Sequence, residues 1–299
     1  LSDIQSTAKS HVINEKRSLI REAVSTVSAS FSTQNKRLFE ISSEKGASSW
    51  LTVLPISEHG YYLHKGSFRD ALCLRYGWQP PHLPTTCVCH KSFTVEHSLS
   101  CPNGGYTIFR HNNLRDLTSQ FLCEVCHDVS TEPLLQPVSG ESFPQRSINR
   151  DEGARLDIAA TNFWERNGQR SFFDIRVFNP LAPTNLNVSL RQCYHSHERE
   201  KRRTYDQRVR DIEHGCFSPL VFNTLGGLGP TATVVYKRIA ALISEKKKLP
   251  YNIVIRWVRC HVSFSLLRST IMLLRGSRQR IPRIDFSSIS VAIAEGRVS

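Results

Sequence analysis

The sequence has little negative charge: 26 acidic residues stand against 39 lysines and arginines, a formal net charge of +13. That excess argues against a cationic partner and for an acidic one, nucleic acid before a membrane surface. Neither a signal-peptide pattern nor a lipidation motif occurs in these residues. Long uninterrupted apolar runs are also missing. The stretch 253–274 has the length to cross a bilayer, but Arg256, Arg259, His261 and Arg268 fall inside it, so a buried or docking helix is expected. The glycine-rich segment 226–230 lacks the lysine of a phosphate-binding loop and reads as a turn. The first residue is Leu1 rather than methionine, from which a processed product or a fragment of a polyprotein is expected. Nine cysteines, an odd number without a secretory signal, point to a reducing compartment with some thiols on metal and the rest buried.

What is present centres on residues 155–205. Two apolar runs, 155–160 and 172–178, alternate with strand period, and each carries one carboxylate, Asp157 and Asp174, with sixteen residues between them. Asn167-Gly168, in the polar segment joining them, suits a hairpin turn. An acid in an apolar strand is costly to bury unless something pairs with it. Two on adjacent strands suggest a shared hard cation, magnesium or manganese. A helix is expected from Ser189 to His214, with Gly215 placed to end it. At helical spacing Leu190, Tyr194, His197, Lys201, Tyr205 and Ile212 share one stripe, which Arg208 joins. Lys201 thus points inward near two acids, as phosphodiester hydrolysis requires. The bland alternative pairs Asp174 with Arg176 and Asp157 with Arg155 as ordinary ion pairs on an exposed sheet face.

Upstream, Cys87, Cys89, His97 and Cys101 are spaced C-x-C-x7-H-x3-C, a compact set of ligands suited to structural zinc. The C-x-C is tighter than usual, and His90 is a possible substitute ligand; unrelated loop cysteines are the alternative. A knuckle here would clamp single-stranded nucleic acid or staple the linker to the following domain. Cys123 and Cys126 form a second C-x-x-C beside His127, but inside an expected helix 107–127 and without partner ligands. Residues 130–135 are expected to form a first strand in which Glu132 either completes a metal site or faces solvent. The loop 136–153 is a candidate DNA contact. A short helix is expected at 68–78, a strand at 219–224, and helices at 232–247 and 251–275. Residues 245–248 and Arg275, Arg278, Arg280 and Arg283 either track phosphates or form a solvated face. The tail from Pro282 is expected to be loosely ordered.

The order helix, strand with Glu132, strand with Asp157, strand with Asp174, helix with Lys201, strand resembles the PD-(D/E)XK nuclease core. More narrowly, 87–205 is similar to the restriction-like endonuclease domain at the C-terminus of site-specific non-LTR retrotransposon proteins, where a CCHC knuckle precedes the nuclease. Gly104, Gly105, Arg110, His111 and Asn112 match that family's Gly-Gly and Arg-His-Asn. Glu132 and Pro133 match its Glu-Pro strand, and Lys201 with Tyr205 its helix pair. Its Pro-Asp falls on Leu156 and Asp157, so the proline is absent. The lysine of the general motif, two residues after the second acid, is Arg176 here. The resemblance implies an α/β fold, a mixed sheet flanked by helices. It would comprise a helical linker (1–84), a zinc knuckle (85–104), a nuclease core (105–230) and a C-terminal helical extension (231–299). It further implies a magnesium- or manganese-dependent endonuclease. Asp157, Asp174 and Glu132 would hold the metal, with Lys201, Arg176 and Tyr205 beside them. DNA would be the substrate, retroelement RNA a further partner, and the nucleus the site of action. Nicking would prime reverse transcription, an activity whose motifs are absent from these residues. A non-cleaving nucleic-acid-binding relative and a zinc-stabilised interaction module are the rival readings.

Overall fold

The computed structural model describes the backbone of residues 2–141, 143, 147–165 and 168–278, and within those ranges the side chains from residue 11 onward. Asn167 of the expected hairpin turn, Arg280, Arg283 and the tail from Pro282 lie outside the described residues. The fold is mixed α/β, a four-stranded sheet between helices. Strands β1 (His127–Thr131), β2 (Ile158–Thr161), β3 (Arg170–Phe178) and β4 (Cys216–Asn223) lie side by side in sequence order. The first three are antiparallel neighbours, and β3 runs parallel to β4. A parallel pair needs a crossover, and helix α7 (Leu190–Asp211) supplies it.

Alternation along the strands divides their side chains between two layers. Ile158, Ala160, Phe173 and Ile175 pack against α5 (Tyr106–Cys123), α8 (Pro230–Lys247) and α9 (Tyr251–Arg275), and this is the main core. Ala159 and Phe172 face the other way, onto Val209 and Tyr205 of α7. Helix α7 starts at a complete capping box, Ser189 with Gln192. It stops at Ile212, three residues short of the glycine expected to end it. Helix α5 ends at Cys123, so His127 opens β1 instead of continuing the helix. The first strand therefore lies a few residues earlier than 130–135; Leu134 makes only an isolated bridge to Arg155.

The expected linker residues are substantially packed. After α1 (Ser2–Ala29), α2 (Thr33–Ser42) buries Arg37, Leu38 and Ile41. Arg37 donates to the carbonyls of Leu186, which ends the short helix α6 (Pro183–Leu186), and of Val188 just before α7. Trp50 and Ala71, the latter on α3 (Lys65–Tyr76), pack on Cys260, Phe264 and Leu267 of α9. Asp70 is buried and grips Arg275 at 2.6 and 2.7 Å. Arg278 is buried too, donating to the carbonyls of Ser98 and Leu273. These two arginines of the expected phosphate track are therefore spent internally. No helix among the described residues is long and apolar enough to cross a membrane.

Candidate functional site

Sheet register assembles the acids. Ile158 pairs with Phe173 across β2 and β3, and Thr131 with Ile158 across β1 and β2. One step further along, the same registers set Glu132, Asp157 and Asp174 in a single cross-strand row. The backbone bond from Glu132 N–H to Asp157 O (2.9 Å) belongs to that row. Residues directly opposite on antiparallel strands project from the same face, so Asp157 and Asp174 are neighbours. Glu132 leaves the row: its φ is +51°, and its half-exposed carboxylate pairs with Arg115 of α5. Among the described residues the three acids do not converge into a cluster of ligand atoms; Asp157 and Asp174 are the pair the sheet holds.

Helix α7 adds the cation. Lys201 Nζ lies 2.7 Å from Oδ2 of Asp174, whose side chain is 8% exposed. Oδ2 is buried and takes no hydrogen bond of good geometry, so this ion pair is its close polar contact. Burial, the largest effect, pushes the Asp174 carboxyl up; Lys201 pulls it down, Asp157 raises it again, and the balance is about 6. The bland pairing of Asp174 with Arg176 is thus not the one formed. Arg176 lies exposed on the same strand face two residues on. Tyr205, one turn below Lys201, turns its ring toward the ammonium at 5.8 Å.

Helix α5 adds a residue the motif reading quoted without a role. His111 Nε2 lies 3.1 Å from Asp157 Oδ2, which also accepts the Ile175 N–H at 2.5 Å. Burial opposes the charged ring, but the hydrogen bond and charge of Asp157 carry its pKa above the ordinary value. His111 and Arg115 lie one turn apart, so a single helix face holds both Asp157 and Glu132.

The second centre is the cysteine–histidine set. All four ligand atoms of Cys87, Cys89, His97 and Cys101 lie within 4.8 Å of one another. The Cys87–Cys101 sulfurs are 3.8 Å apart, and Cys89 Sγ is 3.3 Å from His97 Nε2. A tetrahedron with Zn–S of about 2.3 Å and Zn–N of about 2.0 Å has edges of roughly 3.8 and 3.5 Å, so the set fits zinc. Local structure explains the short C-x-C. Lys91 O accepts from Cys87 N–H and Cys87 O from His90 N–H, while His90 takes φ +64° and turns the chain back. Helix α4 (Val95–Ser100), capped by Thr94, presents His97, with Cys101 just beyond it. Burial alone would raise the Cys87 thiol, but the Cys89 N–H, His97 and the neighbouring sulfurs bring it to about 6, which favours a thiolate. His90 is not in the set. Nor are Cys123, which is exposed, and Cys126, whose thiol burial pushes up to about 11.

Two buried polar systems have partners that the helical stripe did not reveal. Arg208 is wholly buried and donates to three backbone carbonyls, Asn149 and Asp151 at 2.9 Å and Gln136 at 2.8 Å, pinning the backbone at those residues. Glu44 Oε2 accepts from Tyr194 OH at 2.9 Å, and Asn223 Nδ2 donates to Tyr194 OH at 2.7 Å. A Cβ at Gly227 would overlap all three side chains, which is why the turn after β4 has glycine there. No family model matches the sequence, and no curated protein matches it.

Proposed function

We propose that this chain is a divalent-metal-dependent nuclease with a PD-(D/E)XK core. Its particular kind is the DNA-nicking endonuclease of site-specific non-LTR retrotransposon proteins, working in the nucleus beside a reverse transcriptase. The observation that carries the reading is Lys201: a helix lysine 2.7 Å from a buried strand carboxylate that has a second carboxylate as cross-strand neighbour.

Asp157 and Asp174 would hold magnesium or manganese; their hard oxygens and the mutual repulsion of the two acids fit such an ion. When bound, it supplies an acidified water and a counter-charge for the phosphate. Lys201 orients the attacking water and stabilises charge on the phosphorane oxygens. Arg176 holds a neighbouring phosphate through its planar guanidinium fork. His111 fixes the Asp157 carboxylate, and Tyr205 backs the Lys201 ammonium. Glu132 stays with Arg115 and is left out of the metal set. Zinc in the cysteine–histidine set fixes the segment ahead of α5.

The non-cleaving alternative has one observation in its favour: His111 and Arg115 already occupy two of the three acids. Magnesium-dependent cleavage by the wild-type protein separates the two readings, and Asp157→Ala and Asp174→Ala test whether these acids carry it. Each should abolish magnesium-dependent cleavage in a protein that still unfolds cooperatively, the relieved repulsion between the carboxylates being set against the lost His111 or Lys201 contact. Cleavage at the wild-type rate by either variant would show that these acids are not the site.

A further inference from the structure

From Lys201 an open groove of about 640 Å³ leads away between β3, α7 and the start of α5, as far as the zinc-bearing segment. Five of its lining residues are basic or histidine (Arg110, His111, Arg176, His197 and Lys201), and none is acidic. Other hollows differ: the one beside His261 includes Asp116, and the one beside Cys126 includes Glu245. Arg110 is 5% exposed and donates to Leu99 O, while its Nε has no partner. Thr107 lines the groove from the first turn of α5, which starts at Gly105 without a side-chain cap, so free backbone N–H groups stand there. The His197 ring packs on Phe178 at 4.7 Å, and burial together with Arg176 lowers its pKa, so it presents a neutral aromatic donor.

The far wall belongs to the zinc unit. Ser100, the last residue of α4, lines the groove. Asn179, just beyond β3, donates to Ser100 Oγ and Glu96 O at 3.2 Å each. The strand that carries Asp174 is thereby tied to the helix that carries His97.

We propose that this groove is the path of one DNA strand past Lys201, and that the cysteine–histidine unit is its wall. A wall with no acid among its lining residues, carrying the exposed Arg176 fork beside the paired Lys201 and His111 and ending at neutral donors and a helix start, suits a run of phosphates. Why the strand lies there rests on the nuclease reading; that it lies there does not, so binding is measured in magnesium-free buffer.

The probe is a short fluorescein-labelled oligodeoxynucleotide, single-stranded and as a duplex, followed by anisotropy. Thr107→Glu and Thr184→Glu place negative charge at two lining residues of the groove, and Val234→Glu, exposed on α8, is the control. The double groove variant should lose about tenfold in affinity for at least one form of the probe, and the control nothing. Arg176→Ala should flatten the salt dependence by about 0.7 for the single strand. Groove variants that bind and nick like the wild type overturn the path, whatever the wild type cleaves. Lost binding in the groove variants, with a wild type that cleaves nothing in magnesium or manganese, upholds the path and overturns the nuclease.

Discussion

Replacing Glu44 with glutamine should stabilise the protein at alkaline pH and change little in acid. Glu44 stands between α2 and α7, its carboxyl holding Tyr194 OH at 2.9 Å with Asn223 behind it. Burial, the largest effect, raises its pKa from 4.5 to about 7, against the lowering pull of the Tyr194 hydrogen bond. A pKa raised in the folded state makes folding take up a proton wherever the unfolded carboxyl is ionised and the folded one is not. Stability from this group is therefore complete below about pH 4.5 and is lost as pH rises through about 7. The shift corresponds to at most about 3 kcal/mol, an upper bound because Glu44 keeps some access to water. Glutamine keeps an acceptor for Tyr194 and has no charge to desolvate. Denaturant unfolding of both proteins at pH 4.5 and 8.5 isolates the effect, because other titrating groups cancel in the difference. Glu44→Gln should gain between about 1 and 3 kcal/mol at the higher pH relative to the lower. An equal effect at both, or a loss at the higher pH, would refute the buried-acid account.

The purified protein should carry about one zinc per chain, and Cys101→Ser should release it and destabilise the segment before α5; metal analysis of a folded preparation without zinc would contradict this. Arg208→Met should cost about 3 to 5 kcal/mol, because three backbone carbonyls lose charged donors, less the desolvation recovered from the guanidinium. A loss below about 1 kcal/mol in denaturant unfolding would show that the backbone at Gln136, Asn149 and Asp151 is held by other means. Lys201→Ala should slow single-turnover cleavage about a hundredfold or more, and Arg176→Lys should be tolerated better than Lys201→Arg. The reverse order would place the essential cation on the strand.

Periodicity carried the sequence reading where elements are long and their two faces differ. The stripe of α7 was legible because Leu190, Tyr194 and Lys201 recur at helical spacing, and burial follows it closely enough to put Lys201 against Asp174. The cysteine–histidine set was legible because one short segment contains all four residues. What sequence could not show depends on distant partners. Arg115 comes from a helix packed beside β1, so nothing local reveals that it holds Glu132 away from the other acids. His111 was visible only as part of a matched motif, its Asp157 contact being 46 residues away. Glu44 sits in a polar, serine-rich stretch whose pattern suggests a linker; its burial comes from α7 and the glycine turn after β4. The end of α5 was misplaced because Val125 and Cys126 are apolar and pack on the core after the helix has stopped.

The central claim is that Asp157, Asp174 and Lys201 form a metal-dependent phosphodiesterase centre. Supercoiled plasmid incubated with the zinc-loaded protein, with and without magnesium, tests it most directly. The account predicts conversion to the nicked circle only with the metal, abolished by Asp174→Ala in a protein that still unfolds cooperatively. Intact plasmid with magnesium and with manganese, or nicking that survives Asp174→Ala, would contradict it.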